Sequence, residues 1–99
     1  MRSYYLVSYD ICDPGRLRRV HKTVRDFGEG VQLSVFLCQL SDGDRAALER
    51  RLLDIIQQRE DQVLFVKLGS VSGASGDPPP RCEVIGRPLI PGSAHVLVF

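Results

Sequence analysis

Asp10 closes the apolar and aromatic run Tyr4-Tyr5-Leu6-Val7-Ser8-Tyr9, with Ile11 on its other side. An ionised carboxylate among such neighbours pays a desolvation cost or takes up a proton unless something compensates it. Two kinds of partner suit it. A backbone N–H or an arginine would make Asp10 a structural ion pair, and a metal ion would make it a site. A cationic cluster follows: Arg16, Arg18, Arg19, Lys22 and Arg25, set against Asp13 and Asp26. Its residues suit either an ordinary solvated helix face or a phosphate-binding face, and the excess of positive charge keeps the second open.

The other residues capable of chemistry are sparse. Cys12, Cys38 and Cys82 form neither a C-x-x-C pair nor a zinc spacing, and are expected to be reduced and partly buried. His21 and His95 are too scattered for a zinc site. There is no phosphate-cradling glycine loop, no nucleophile-base-acid spacing and no internal repeat. With 99 residues, 43% of them hydrophobic, and a net charge of +1, the chain suits one small domain. Near-zero charge exerts no global pull on nucleic acid, so any such role rests on a local patch. Without a membrane-length apolar run or a signal peptide, the expectation is a soluble, cytoplasmic protein.

The elements that position Asp10 follow from pattern. Residues 3 to 11 read as a central strand, apolar on both faces. Asp13 is placed to cap a helix with Pro14 at its first position. Leu17, Val20, Val24 and Phe27 make the helix's buried stripe, and Gly28 suits its stop. Arg16, in the first turn, is placed to reach back toward Asp10. Residues 31 to 40 read as one long bent strand or as two short ones pivoting near Ser34, with Gln32 and Ser34 as satisfied polar intrusions.

Ser41-Asp42-Gly43-Asp44 reads as a capping box opening a second helix, with Leu48, Leu52 and Ile55 inward and Leu53 and Ile56 beside them. Its charged residues Arg45, Glu49, Arg50, Asp54 and Arg59 read as a solvated face. Residues 61 to 68 read as a third strand and 69 to 80 as a flexible connection. Two strand candidates, 82 to 86 and 94 to 99, are split by Pro88 and Pro91.

The expected fold is a single α+β ferredoxin-like sandwich over 1 to 99, an antiparallel sheet with both helices on one face. Its core spans 3 to 68. The segment 81 to 99 is expected to serve dimerisation, because an apolar strand with an unpaired edge invites another chain.

Tyr5-Leu6-Val7-Ser8-Tyr9-Asp10-Ile11, then Arg16 to Val20, Gly28, and Val31-Gln32-Leu33-Ser34-Val35-Phe36 resemble the CRISPR-associated Cas2 family over most of residues 4 to 68. The resemblance implies a ferredoxin-like homodimer whose C-terminal strand crosses to the partner's sheet. It also implies a magnesium-dependent endonuclease, acting on RNA or DNA, with Asp10 as its catalytic, metal-binding residue. Arg16, Arg18 and Arg19 would contact phosphates, and Tyr9, Ser34 and Phe36 would line the site.

The same family bridges dimers of the Cas1 integrase during spacer acquisition, which implies an alternative role as a non-catalytic DNA-binding adaptor. Leu37 stands where many members carry an acid after Ser-Val-Phe. Near a two-fold axis one Asp per chain supplies two carboxylates, which repel unless a cation neutralises both. A plain interaction domain that binds neither metal nor nucleic acid is the third reading.

Overall fold

The computed structural model describes residues 1–72 and 81–89. Its elements run β1 (Ser3–Asp10), α1 (Pro14–Arg25), β2 (Gly28–Gln32), β3 (Val35–Leu40), α2 (Asp42–Leu53), β4 (Gln62–Ser70) and β5 (Arg81–Gly86). They form one antiparallel sheet in the order β2-β3-β1-β4-β5. Without β5 this is the ferredoxin-like strand order, with β1 as the inner strand between β3 and β4.

Alternation along β1 sorts its side chains between the two faces. Tyr5, Val7 and Tyr9 are buried and join Val20 and Val24 of α1, Leu48 and Leu52 of α2, and Phe36, Val63 and Phe65 in one core. The two helices therefore cover this face. Tyr4, Leu6 and Ser8 alternate to the other face and remain half-buried, as do Leu64 and Val66 on β4. Leu37 pairs with Leu6 there. The uncovered face is therefore largely apolar, and Asp10 stands at its end.

The helix starts match the expected chemistry. Asp13 accepts a hydrogen bond from the Arg16 N–H at 2.9 Å, and Pro14 takes the first turn. Ser41 Oγ accepts from the Asp44 N–H at 3.1 Å, while Asp44 accepts from the Ser41 N–H at 3.4 Å. The capping box is present with Asp in place of Glu.

Other expectations are narrowed or corrected. Residues 31 to 40 are two strands with a turn at Leu33-Ser34, so Gln32 ends β2, exposed. Leu17 lies at the border of the α1 stripe, 40% exposed, and Thr23 is buried in its place. Arg45 is not solvated. It lies 8% exposed, with its guanidinium 3.6 Å over the Phe65 ring and 3.0 Å from Glu83. Residues 69 and 70 belong to β4. β5 pairs with β4 of its own chain, while the expected terminal strand 94 to 99 and residues 73 to 80 of the connection lie outside the described residues.

Gly28 does not cap α1, which ends at Asp26 in a right-handed conformation. It opens β2 against Cys38, where a Cβ would collide with the Cys38 Sγ and the Leu37 carbonyl oxygen. Backbone on one side and a fully buried side chain on the other leave no room to yield. Gly28→Ala is therefore expected to lower stability by about 1–3 kcal/mol, the range for overpacking. A thermal melt of the variant checks it.

Candidate functional site

Burial along β1 stops at Tyr9, and the Asp10 side chain is 69% exposed. The desolvation expected from its sequence neighbours is therefore not incurred, because the strand end leaves the sheet's cover. Asp10 does have an ionic partner. Arg87, just past β5, places Nη2 2.6 Å from Asp10 Oδ2.

Arg16 does not reach Asp10. Its Nε donates to Asp61 Oδ2 at 2.7 Å, and its Nη2 donates to Glu60 Oε2 at 3.0 Å and to Asp61 Oδ1 at 3.3 Å. Asp61 is fully buried and also accepts from the Cys12 N–H at 2.9 Å and the Gln57 N–H at 2.8 Å. One carboxylate thus ties the β1–α1 loop, the first turn of α1 and the α2–β4 loop together. Burial pushes its pKa up, but the Arg16 hydrogen bond and the two backbone N–H groups outweigh that and hold it below the usual aspartate value.

Arg18 and Arg19 are exposed and form no ion pair among the described residues. Together with Arg16, Lys22, Asp13 and Gly15 they line a surface cavity of about 440 Å³. Two free guanidiniums beside an ammonium suit a phosphate chain. Arg16 contributes to the same cavity with its hydrogen bonds already committed.

Tyr9, Ser34 and Phe36 come together, on the opposite side of the sheet from Asp10. The Tyr9 ring stacks on Phe36 at 6.2 Å between centroids, and its N–H donates to the Ser34 carbonyl at 3.1 Å. Its hydroxyl donates to the Leu33 carbonyl at 3.3 Å and shares a 2.7 Å hydrogen bond with His21 Nδ1. Burial raises the Tyr9 pKa, so the hydroxyl keeps its proton. Tyr9 and Ser34 line a groove of about 530 Å³ with Leu17, His21 and Leu33.

Sequence reasoning missed Asp61, Arg87 and the Tyr9–His21 pair. The acid at the head of the apolar run Val63-Leu64-Phe65-Val66 was the one available signal for Asp61. Cys38, fully buried with its pKa pushed up to about 11 by desolvation, is an inert thiol, whereas Cys12 is exposed.

A magnesium ion asks for about six oxygens but needs few from the protein. Asp10 offers one exposed carboxylate. Among the described residues no three His, Cys, Asp or Glu gather as a metal cage. One chain therefore fits such an ion only in part, with a single carboxylate to offer.

Residues 1–73, which include Asp10, the α1 cations and the Tyr9 cluster, match the family model described as CRISPR associated protein Cas2. The chain belongs to the Cas2 family. A CRISPR-associated endoribonuclease Cas2 of Rhodospirillum rubrum is 48% identical over 65 residues, 66% of this chain and 64% of that protein. The match therefore spans just under two thirds of that relative's length. Another Cas2 bearing the same endoribonuclease name, from Geobacter sulfurreducens, is 36% identical over 92% of both chains.

Among solved structures, Streptococcus pyogenes Cas2 at pH 6.5 superposes with a TM-score of 0.63 at 37% identity, covering 67% of this chain and 86% of that one. A hypothetical protein from Thermus thermophilus gives 0.68 at 29% identity, covering 82% and 100%. The Cas2 fold expected from residues 4 to 68 is the fold observed. Arg87 lies outside the residues that the family model matches. Among the described residues, no helix is long and apolar enough to cross a membrane.

Proposed function

We propose that this chain is a CRISPR adaptation endonuclease, dependent on magnesium, that cuts phosphodiester bonds of RNA or DNA as a homodimer. The observation that carries this reading is the Asp10 carboxylate, exposed at the end of an otherwise apolar sheet face. That face supplies what a second copy would bury. A two-fold axis beside it would bring two Asp10 side chains into one donor set. The endoribonuclease names of the relatives agree with such chemistry.

Asp10 from each copy would hold the ion, which, when bound, supplies Lewis acidity toward a phosphoryl oxygen. Arg18 and Arg19 would fix the phosphate chain, with Arg16 at the same cavity. Tyr9, Ser34 and Phe36 would act from the helix side, shaping the β2–β3 turn rather than touching the ion. Cleavage of single-stranded RNA and of double-stranded DNA, with magnesium and with chelator, tests the reading. Cutting that needs the ion supports it. Binding without cutting under every condition rejects it.

A second reading rests on the free cations of α1. As a DNA-binding adaptor beside the Cas1 integrase, the chain would hold duplex through Arg18 and Arg19 without cutting. Either role predicts that Arg18→Ala and Arg19→Ala weaken duplex binding uniformly across sequences. Each should lower the salt slope by roughly 0.9 for every phosphate it no longer neutralises. Binding measured across a salt series checks this, and unchanged slopes would remove both arginines from the interface.

A further inference from the structure

Arg87 is delivered to Asp10 by the fold rather than by the reach of a loose side chain. Asp10, Gln62 and Gly86 lie in one row across β1, β4 and β5, and Arg87 follows directly. Its N–H donates to the Asp61 carbonyl at 2.7 Å. The Gln62 side-chain amide donates to the Arg87 carbonyl at 2.9 Å and to the Pro88 carbonyl at 3.0 Å. Gly86 makes this approach possible. Its φ is +91°, and a Cβ there would strike the Asp61 carbonyl. Two hydrogen bonds on the Arg87 backbone, a third on Pro88 beside it and a backbone conformation suited to glycine thus hold the Arg87 backbone beside the end of β1.

The guanidinium is not optimally satisfied in that place. Its Nε is buried without a hydrogen-bond partner among the described residues, while Nη2 is committed to Asp10. A side chain serving only its own hydration would turn that N–H to water. Arg87 instead places its charge on the carboxylate oxygen that a hard dication requires.

We propose that Arg87 is a built-in competitor for the divalent cation at Asp10, its guanidinium holding the carboxylate until it is displaced. This rests on the reading of Asp10 as the metal residue. A guanidinium on Oδ2 neutralises the carboxylate and repels an incoming dication, so metal and Arg87 exclude each other. The pair is partly exposed, at 39% for Arg87 and 69% for Asp10, and therefore weakly held. A weak stopper raises the metal concentration needed without abolishing binding. Nucleic acid would act with the metal, because its phosphates offer Arg87 another partner.

The test is binding of manganese, as a paramagnetic probe, to the full chain without nucleic acid, read by the loss of the free-ion spin signal. Four proteins are compared: the parent, Arg87→Gln, Arg87→Ala and Asp10→Ala. The substitutions at 87 keep the backbone bond to Asp61, and a melt confirms folding. Both are expected to bind manganese about five- to tenfold more tightly than the parent, the scale of an exposed ion pair plus the removed repulsion. Asp10→Ala is expected to lose that binding.

Equal affinity in the parent and both Arg87 variants, with loss in Asp10→Ala, would overturn the role of Arg87 and leave the metal reading intact. Binding retained by Asp10→Ala would place the ion elsewhere and overturn both. Absence of binding in all four would also overturn both.

Discussion

Asp61→Asn is expected to melt about 15 °C below the parent, from a loss of about 3 kcal/mol in a domain of this size. Both oxygens of Asp61 accept twice, from Arg16, Cys12 and Gln57, and the side chain is fully buried. An amide in its place turns an NH₂ toward donors and leaves the Arg16 guanidinium with only the largely exposed Glu60 carboxylate opposite it. Breaking a buried pair from one side costs more than the pair contributes, because the remaining partner stays desolvated. Arg16 is 23% exposed, so water relieves part of that cost and the loss falls at the low end of the buried range.

The sign with pH follows from the lowered pKa of Asp61. A carboxylate held below its ordinary value contributes stability that is fully present above about pH 4 and fades as the pH falls through the folded-state value. Urea midpoints of parent and variant should therefore lie far apart at neutral pH and converge in acid. A gap independent of pH would contradict the assignment.

Asp10→Ala is expected to behave in the opposite way, folding like the parent while losing magnesium-dependent cleavage by at least about a hundredfold, the scale for removing a group that stabilises transition-state charge. Its carboxylate is exposed and its ion pair with Arg87 costs little to lose, about 1 kcal/mol or less. A melt and a cleavage time course on the same preparation separate the two effects. Cleavage retained by a highly purified variant would show that the activity belongs to something other than this site. The two aspartates thus differ in place: Asp61 holds the loops together from within, and Asp10 stays exposed, where the proposed chemistry requires it.

Local pattern made much of the fold legible. The strand at Asp10, the Asp13-Pro14 helix start and the Ser41-Asp44 box are signals carried within a few residues, and each appears where its chemistry placed it. The misreadings share another cause. A left-handed helix cap and a close backbone approach both select glycine, so Gly28 read as the first when packing on Cys38 made it the second. Arg45 read as solvated because helical periodicity registers charge but not the aromatic ring that can receive it.

Of the candidate site, residue types such as the Asp10 carboxylate and the α1 cations stood out in the sequence, and their partners did not. Arg16 finds Asp61 across 45 positions, and Arg87 finds Asp10 across 77. No local period encodes such contacts. Tyr9 and Asp10 are adjacent in sequence yet face opposite sides of the sheet, a consequence of strand alternation that separates the aromatic cluster from the carboxylate.

The central claim, that Asp10 from two copies serves one ion, is tested most directly by mixing. Parent and Asp10→Ala chains are unfolded together in equal amounts and refolded so that subunits pair at random. Magnesium-dependent cleavage is then read per parent chain supplied. A shared site needs two intact aspartates, so the account predicts cleavage at about half the parent's value per parent chain, since roughly half of those chains pair with a variant. Cleavage that stays at the full parent value would show that each Asp10 works alone, and would contradict it.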